Sequence, residues 1–332
     1  FFILLMNVFF TFDYEIFFGQ NTGSISKCMI EPTNRLIEIS KKHGVNFTYF
    51  VDAGFLCQLK KNIEKYPNLK KDYSSISKQL KELIINGDDI QLHVHPHWEK
   101  ATYDGYKWDF NVNECYSLSD FSIDKVAEII TNYKIELESI TSKKISSYRA
   151  GGLAVQPFSK IKKALEQNNI FTDSSVQHYG HKQTESYGFD FRKAPLKGKY
   201  MFSDNVCKED LNGKFTEMPI GGWKYPKLFY WKLYGLGFLF PSKHKFIGDG
   251  NYVSEKNERK NKMMSTRYDN VCCDGYYSNM LNKILKEMKK KNRSDVVILG
   301  HPKSQTVFSL NKIDSFLSRN KSLYQFKTFK NV

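Results

Sequence analysis

The feature that most limits how this chain can fold is a regular exchange, through its first half, between short β-rich runs and helical stretches. NVFFTF (7–12), NFTYFV (46–51), DIQLHV (89–94) and SSYRA (146–150) are strand candidates, dense in β-formers. Between them the apolar residues take a helical period. Residues 31–43 have a proline near their start and Gly44 just past their end. Residues 74–86 set Leu80, Leu83 and Ile84 on one face and stop at Gly87. Residues 122–140 do the same with Val126, Ile129, Ile130, Tyr133 and Leu137. Strand and helix alternating in this way argue for a parallel sheet, open or closed into a barrel.

From about 176 to 270 the alternation stops. That stretch is rich in Tyr, Gly, Lys and Phe, with a short strand candidate at KFTEMPI, 214–220. Regularity returns with a helix near 276–291 and a buried strand, DVVILGH, at 295–301. A further short strand near 169–173 brings the count to about seven. The expectation is an α/β fold: a closed or nearly closed (β/α) barrel forming a single domain over 1–332, with an insertion at about 176–270.

Composition narrows the function classes. Charged residues at 26% and hydrophobic ones at 41% are ordinary for a globular chain. The net charge of +15 comes from lysines scattered through helical stretches such as KKNIEK and KEMKKKN. No nucleic-acid motif accompanies them, so no nucleic-acid partner is expected. Solvated helix faces account for these lysines first, and attraction to an anionic glycan or membrane surface second. Six cysteines show no CxxC and no regular spacing, which reads as reduced core residues. The apolar opening FFILLMNVFFTF is too short to span a bilayer and lacks a basic n-region and a cleavage site. Residues 7–12 read as a buried strand, and the protein is expected to be cytoplasmic.

Ionisable residues sit at nearly every strand's C-terminal end, where barrels of this kind gather their active sites. Asp13 and Glu15 follow the first strand, Asp52 the second, and the triplet of HVHPHW (His93, His95, His97) the third. Arg149 closes the fourth, Asp173 the fifth and His301 the last. Two histidines and a carboxylate with an open position make a catalytic metal site, most often for zinc. His93 and His97 share a face if the strand runs into a helical turn; His93 and His95 share one if it stays extended. Pro96 favours a strand that ends before His97. Asp13 and Glu15, two apart, face the same side of a persisting strand, so one can bind metal while the other takes a proton from water. His301 is placed to give a proton to a leaving group.

The series TFDYE, HVHPHW, YRAGG, TDSS and ILGHP, in that order, resembles the motifs of the polysaccharide deacetylase family, the NodB-homology domain of carbohydrate esterase family four type. The resemblance runs from residue 7 to about 304. It implies a distorted (β/α)7 barrel with one divalent metal ion, zinc first, with cobalt, nickel, iron or manganese also suited. It implies a hydrolase acting on C–N bonds other than peptide bonds, one that removes acetyl groups from N- or O-acetylated sugars, so the expected partner is an acetylated carbohydrate. By the same match Asp13 is the catalytic base, Arg149 and Asp173 orient the base and the acid, and His301 is the general acid. His93 and His97 are the two histidine ligands, with His95 second to them. The backbone near Gly151 or Gly152 is an oxyanion donor, and Trp98 a substrate contact. The family usually carries two adjacent aspartates, whereas here Tyr14 separates Asp13 from Glu15. Glu15 is the expected third ligand because i and i+2 share a face, though the two carboxylates' roles can be exchanged.

Two other readings remain. One is a metal amidohydrolase acting on a non-sugar amide through a His93–His95 pair; the other is a glycan-binding relative without turnover. The 176–270 segment is expected to wall the metal cleft, with His178, His181, Trp223 or Trp231 offering a face to a sugar ring.

Overall fold

A computed structural model describes residues 5–112, 114–253 and 257–332. The first four residues of the apolar opening, and 254–256 within the insertion span, lie outside the described residues. The centre is a nine-stranded, mostly parallel sheet. Its strands are β1 (Met6–Tyr14), β2 (Thr48–Asp52), β3 (Asp89–Val94), β4 (Ser147–Ala150), β5 (Thr172–Asp173), β6 (Tyr200–Phe202), β7 (Phe215–Glu217), β8 (Asp295–Gly300) and β9 (Tyr324–Phe326). Across the sheet the order is β6-β7-β5-β4-β3-β2-β1-β8, with β9 also paired to β1. Only the β6–β7 pair is antiparallel.

The sheet curls until its ends meet. Ile220, just beyond β7, bridges Gln177 on one side and Val297 of β8 on the other. The Gly221 N–H donates to the Val297 carbonyl at 2.9 Å. One residue thus closes the ring, and the structure is the distorted (β/α) barrel expected. The span 176–270 is not wholly apart from that barrel, since β6, β7 and the bridging Ile220 all lie within it.

Helices cover the outside: α1 (Glu31–His43), α2 (Ala53–Asn62), α3 (Asn68–Asn86), α4 (Ile123–Thr141), α5 (Lys162–Gln167), α6 (Lys227–Leu239), α7 (Pro241–His244), α8 (Glu258–Met264), α9 (Leu281–Lys290) and α10 (Val307–Asn320). The helices between successive barrel strands bury an apolar stripe, as Val126, Ile129, Ile130, Tyr133 and Leu137 do in α4. Helix α3 starts earlier than its apolar period suggests and ends at Gly87, whose φ of 91° few other residues tolerate. No helix among the described residues is long and apolar enough to cross a membrane. All six cysteines are unpaired, and Cys28, Cys115, Cys272 and Cys273 are buried.

Register decides what meets at the C-terminal ends of the strands. Asn7 pairs with Asp295, and their side chains bond at 2.7 Å, pinning β1 against β8. The ladder then runs to Phe12 opposite Gly300, so Asp13 and His301 leave their strands side by side. On the other flank Asp52 pairs with His93, and His93 with Arg149. A slip of one residue would send every one of these groups to the opposite face.

Candidate metal centre and active site

Glu15, His93 and His95 come together, all three buried, with ligand atoms within 4.8 Å of one another. Glu15 Oε2 lies 2.7 Å from His95 Nε2 and 3.2 Å from His93 Nε2. The two Nε2 atoms are 3.1 Å apart. Neither approach to Oε2 is aligned as a hydrogen bond, so this buried oxygen has no donor. His93 Nδ1 is bonded to the Arg149 carbonyl at 3.0 Å, which places a proton there and turns Nε2 toward Glu15. A carboxylate oxygen and two imidazole nitrogens aimed at one point are a donor set that suits zinc and its neighbours in the first transition row.

His97, expected as the second histidine ligand, is not brought to this point. Strand geometry persists through His95 (φ −107°, ψ 98°), so His93 and His95 share a face two residues apart. Pro96 then opens a 3₁₀ turn over Pro96–Lys100. The turn swings His97 into a box made by Phe18, Trp98 and Phe110, with ring centroids 4.7–5.1 Å away. Both its nitrogens lack a hydrogen-bond partner. Burial, with the nearby His95 and Lys303, holds its pKa well below the usual histidine value. The HxxxH spacing needed a helical turn that the proline-led 3₁₀ turn does not supply.

Gly151 makes room for His95. A Cβ there would lie 2.5 Å from His95 Nδ1 and 2.7 Å from Cε1, so no other residue leaves the ring its slot. Gly152 has φ +56° and passes close to the Tyr116 hydroxyl. Trp98, expected at the substrate, is fully buried and donates its indole N–H to Asp52 Oδ2 at 2.6 Å. It supports the histidine turn from beneath.

Asp13 and Glu15 are each gripped by one oxygen. The Arg149 guanidinium donates to Asp13 Oδ1 at 2.6 Å, and is itself held by the Ser174 carbonyl and hydroxyl at 2.9 Å. Asp13 Oδ2 stands 3.7 Å from His93 Nε2 and 3.8 Å from His301 Nε2. Burial works to raise the Asp13 pKa, but Arg149, His93 and His301 outweigh it and hold it below the ordinary value. Glu15 is likewise held well below its ordinary value, burial being overcome by Lys303 and the two histidines. Its Oε1 accepts from Lys303 Nζ at 2.8 Å. That ammonium is buried, bonds the Ile16 carbonyl at 2.7 Å, and faces the rings of Phe17, Phe18 and Tyr252 at 4.8–5.4 Å. The negative groups in turn push His93 up to about 9 against the opposing effect of its burial. A field that holds a proton on His93 also favours a bound cation.

His301 faces Asp13 through Nε2 because its other nitrogen is occupied. Nδ1 lies 2.7 Å from Asp274 Oδ2, while the His301 N–H donates to Asp274 Oδ1 at 2.8 Å. Burial lowers the His301 pKa, but Asp274 and Asp13 more than reverse this. Asp173 does not touch the acid or the base. It accepts from Ser175 Oγ at 2.6 Å and pairs in register with Glu217. Asp274 holds the acid where the motif match pointed to Asp173, and Arg149 does hold Asp13.

Asp274 and Lys303 escape a reading of the sequence. Asp274 follows Cys272 and Cys273 in a stretch without a strand signal. Lys303 hides in the same run as His301, HPKS, where a lysine reads as surface. Part of the 176–270 segment does reach this region. Gly248 N–H donates to the Lys303 carbonyl, Gly19 N–H to that of Asn251, and the Tyr252 hydroxyl bonds Ser304 Oγ. The aromatic candidates lie elsewhere: His178 bonds the Lys197 carbonyl, His181 and Trp223 belong to separate two-stranded sheets, and Trp231 lies on α6.

No protein-family model and no curated protein matches the chain. Among solved structures it superposes on a Mycobacterium smegmatis protein provisionally described as a polysaccharide deacetylase, with 14% identity and a TM-score of 0.50, over 97% of this chain and 86% of that one. It also superposes on the 4-alpha-glucanotransferase of Thermococcus litoralis, with 12% identity and a TM-score of 0.50, over 98% of this chain but only 38% of that one. At such identities the likeness is one of fold, and the fold is the distorted (β/α)7 barrel of the NodB-homology type.

Proposed function

We propose that the protein is a metal-dependent hydrolase that removes an acetyl group from an N- or O-acetylated sugar. The observation that carries this is the placing of Asp13 and His301, 3.8 Å apart, beside the convergent Glu15–His93–His95 set. The motif order and the shared fold support the sugar substrate.

Glu15, His93 and His95 would hold one divalent ion, with zinc the first choice. Such an ion supplies a Lewis acid for the acyl carbonyl and makes water more acidic. Asp13 is the base: Arg149 fixes one oxygen and keeps the group ionised, leaving Oδ2 to accept a proton from water. His301 is the acid, protonated through Asp274, and its Nε2 gives the proton to the departing amine or alkoxide. Two neighbouring groups whose surroundings drive their pKa values apart divide the acid and base work between them. The carbonyl oxygen's negative charge would be shared between the ion and a backbone N–H near Gly151 or Gly152.

The His93–His95 pairing also suits a metal amidohydrolase acting on a non-sugar amide. Metal analysis of the purified protein, coupled to acetate release from N-acetylated sugars, chitooligomers, acetylated xylan and peptidoglycan fragments, decides between them. Metal-dependent acetate release from one of these glycans is the expected result. Turnover confined to non-sugar amides would replace the sugar reading, and glycan binding without any release would mean a binding protein.

A further inference from the structure

Helix α6 reads KLFYWKLYGLGFL, apolar nearly all round. Its inner side is anchored, with Phe229 packing on Tyr225, Tyr276 and Tyr277 at 4.6–5.5 Å. Its outer side is not covered by any described residue. At 100° per residue, Leu228, Trp231, Gly235, Phe238 and Leu239 fall within an arc of roughly 100°. Phe238 is 82% exposed and Leu239 65%, and Leu228, Trp231 and the following Phe240 are exposed too. A Cβ added at Gly235 or Gly237 would meet nothing within 4 Å. Trp231 is held in place by its indole N–H, bonded to the Met263 carbonyl at 2.9 Å. An apolar stripe this large on a rigid helix marks a surface that something covers.

The surrounding charge says what kind of surface that is. From Met218 to Gly248 there is no Asp or Glu, while Lys227, Lys232, Lys243 and Lys245 are exposed and make no ion pair among the described residues. At the far end of the α6–α7 hairpin a groove of about 310 Å³ is lined by Lys243, Lys312 and Arg319 with three asparagines, and by no acid. A second copy docking through the same face about a two-fold axis would set these lysines against one another. An anionic bilayer satisfies both features, since it takes aromatic and leucine side chains at its acyl boundary and ammonium groups at its phosphates. With 13 residues, α6 is too short to cross a hydrocarbon core and long enough to lie in its surface.

We infer that the α6–α7 hairpin is a docking surface for an anionic lipid membrane. The chain leaves α7 and within a few residues packs on Lys303 and Ser304, so docking would hold the mouth of the barrel near the lipid surface. The inference does not depend on the hydrolase reading.

The test is flotation of the full chain with phosphatidylcholine vesicles, with and without phosphatidylglycerol. Binding is expected only with phosphatidylglycerol, and should weaken as salt is raised. The exposed double variant Phe238→Ser/Leu239→Ser should bind at least about tenfold less, and Lys243→Gln and Lys245→Gln about fivefold less each. Circular dichroism confirms that each variant is folded. A wild-type chain that stays unbound, or variants that bind as well as it does, would overturn the inference. So would a dimer in sedimentation velocity that Phe238→Ser/Leu239→Ser dissolves, because the stripe would then be a contact between copies.

Discussion

Two pairs of carboxylates lie at the C-terminal ends of this barrel's strands, equally buried and differently treated. Asp13 and Glu15 each have a cation on one oxygen, Arg149 and Lys303, and both are held below their ordinary pKa values. Asp173 and Glu217 face each other across β5 and β7, bonded to the Ser175 hydroxyl and the Val176 N–H with no lysine or arginine among the described residues bonded to either, and burial drives both upward, Glu217 well above its ordinary value. Burial alone therefore does not decide whether a carboxylate here is charged. The cation brought in by another strand end tips the balance, and it separates a region whose carboxyls are held towards the charged form from one whose carboxyls are pushed towards the neutral form.

The sharpest way to test that division is to remove a ligand. His95→Ala should lose metal and take activity to background, whereas His97→Ala should keep its metal; metal analysis of both proteins checks this, and the opposite result would restore the HxxxH pairing. Next in size, Asp13→Asn should keep metal while turnover falls by roughly two to four orders of magnitude. Asp173→Asn should leave turnover within a few-fold, and an equal loss in both would erase the contrast between the pairs. Asp274→Asn should reduce turnover by roughly tenfold or more. It should also move the alkaline limb of the pH–rate profile to lower pH, because His301 loses the anion that raises its pKa; a limb that stays put would remove Asp274 from the acid's support.

The smallest expected effect concerns stability. Because the folded state raises the Glu217 pKa, folding binds its proton more tightly than the unfolded chain does. The stability this gives is complete below the unfolded carboxyl's pKa, about 4.3. It is lost as pH climbs through the raised folded value. Glu217→Gln has no proton to lose, so its Tm should exceed that of the wild type by roughly 2 °C at neutral pH, with the gap closing on acidification. A gap that widened in acid would mean that Glu217 is ionised in the folded protein.

The strand ends were readable because a two-residue period and a run of β-formers fix which positions face the same way. Asp13, Arg149 and His301 meet for that reason, and α1 and α4 begin and end close to where their caps and apolar periods place them. What sequence could not supply was the backbone path after β3. Whether His95 or His97 joins His93 depends on a 3₁₀ turn and on the gap left by Gly151, a contact between positions 56 residues apart. Lys303 and Asp274 were invisible for a similar reason. Their roles come from what tertiary packing puts beside them, and a buried lysine in an aromatic cage has the same letter as a surface one.

The pairing of β1 with β8 joins residues nearly the whole chain apart, Asn7 with Asp295, and this has a consequence for biosynthesis. During translation β1 emerges long before β8, with an almost wholly apolar sequence and room for a neighbour on each side. It must wait for β8 and β9 before both edges are paired. Until then it is an open apolar edge of the kind that recruits other chains. The groups around Glu15 arrive in the same order, the histidines next and Lys303 after them. A ribosome-bound chain that stops short of residue 295 should therefore have neither a closed sheet nor a complete set of groups around Glu15, and its β1 edge would stand open.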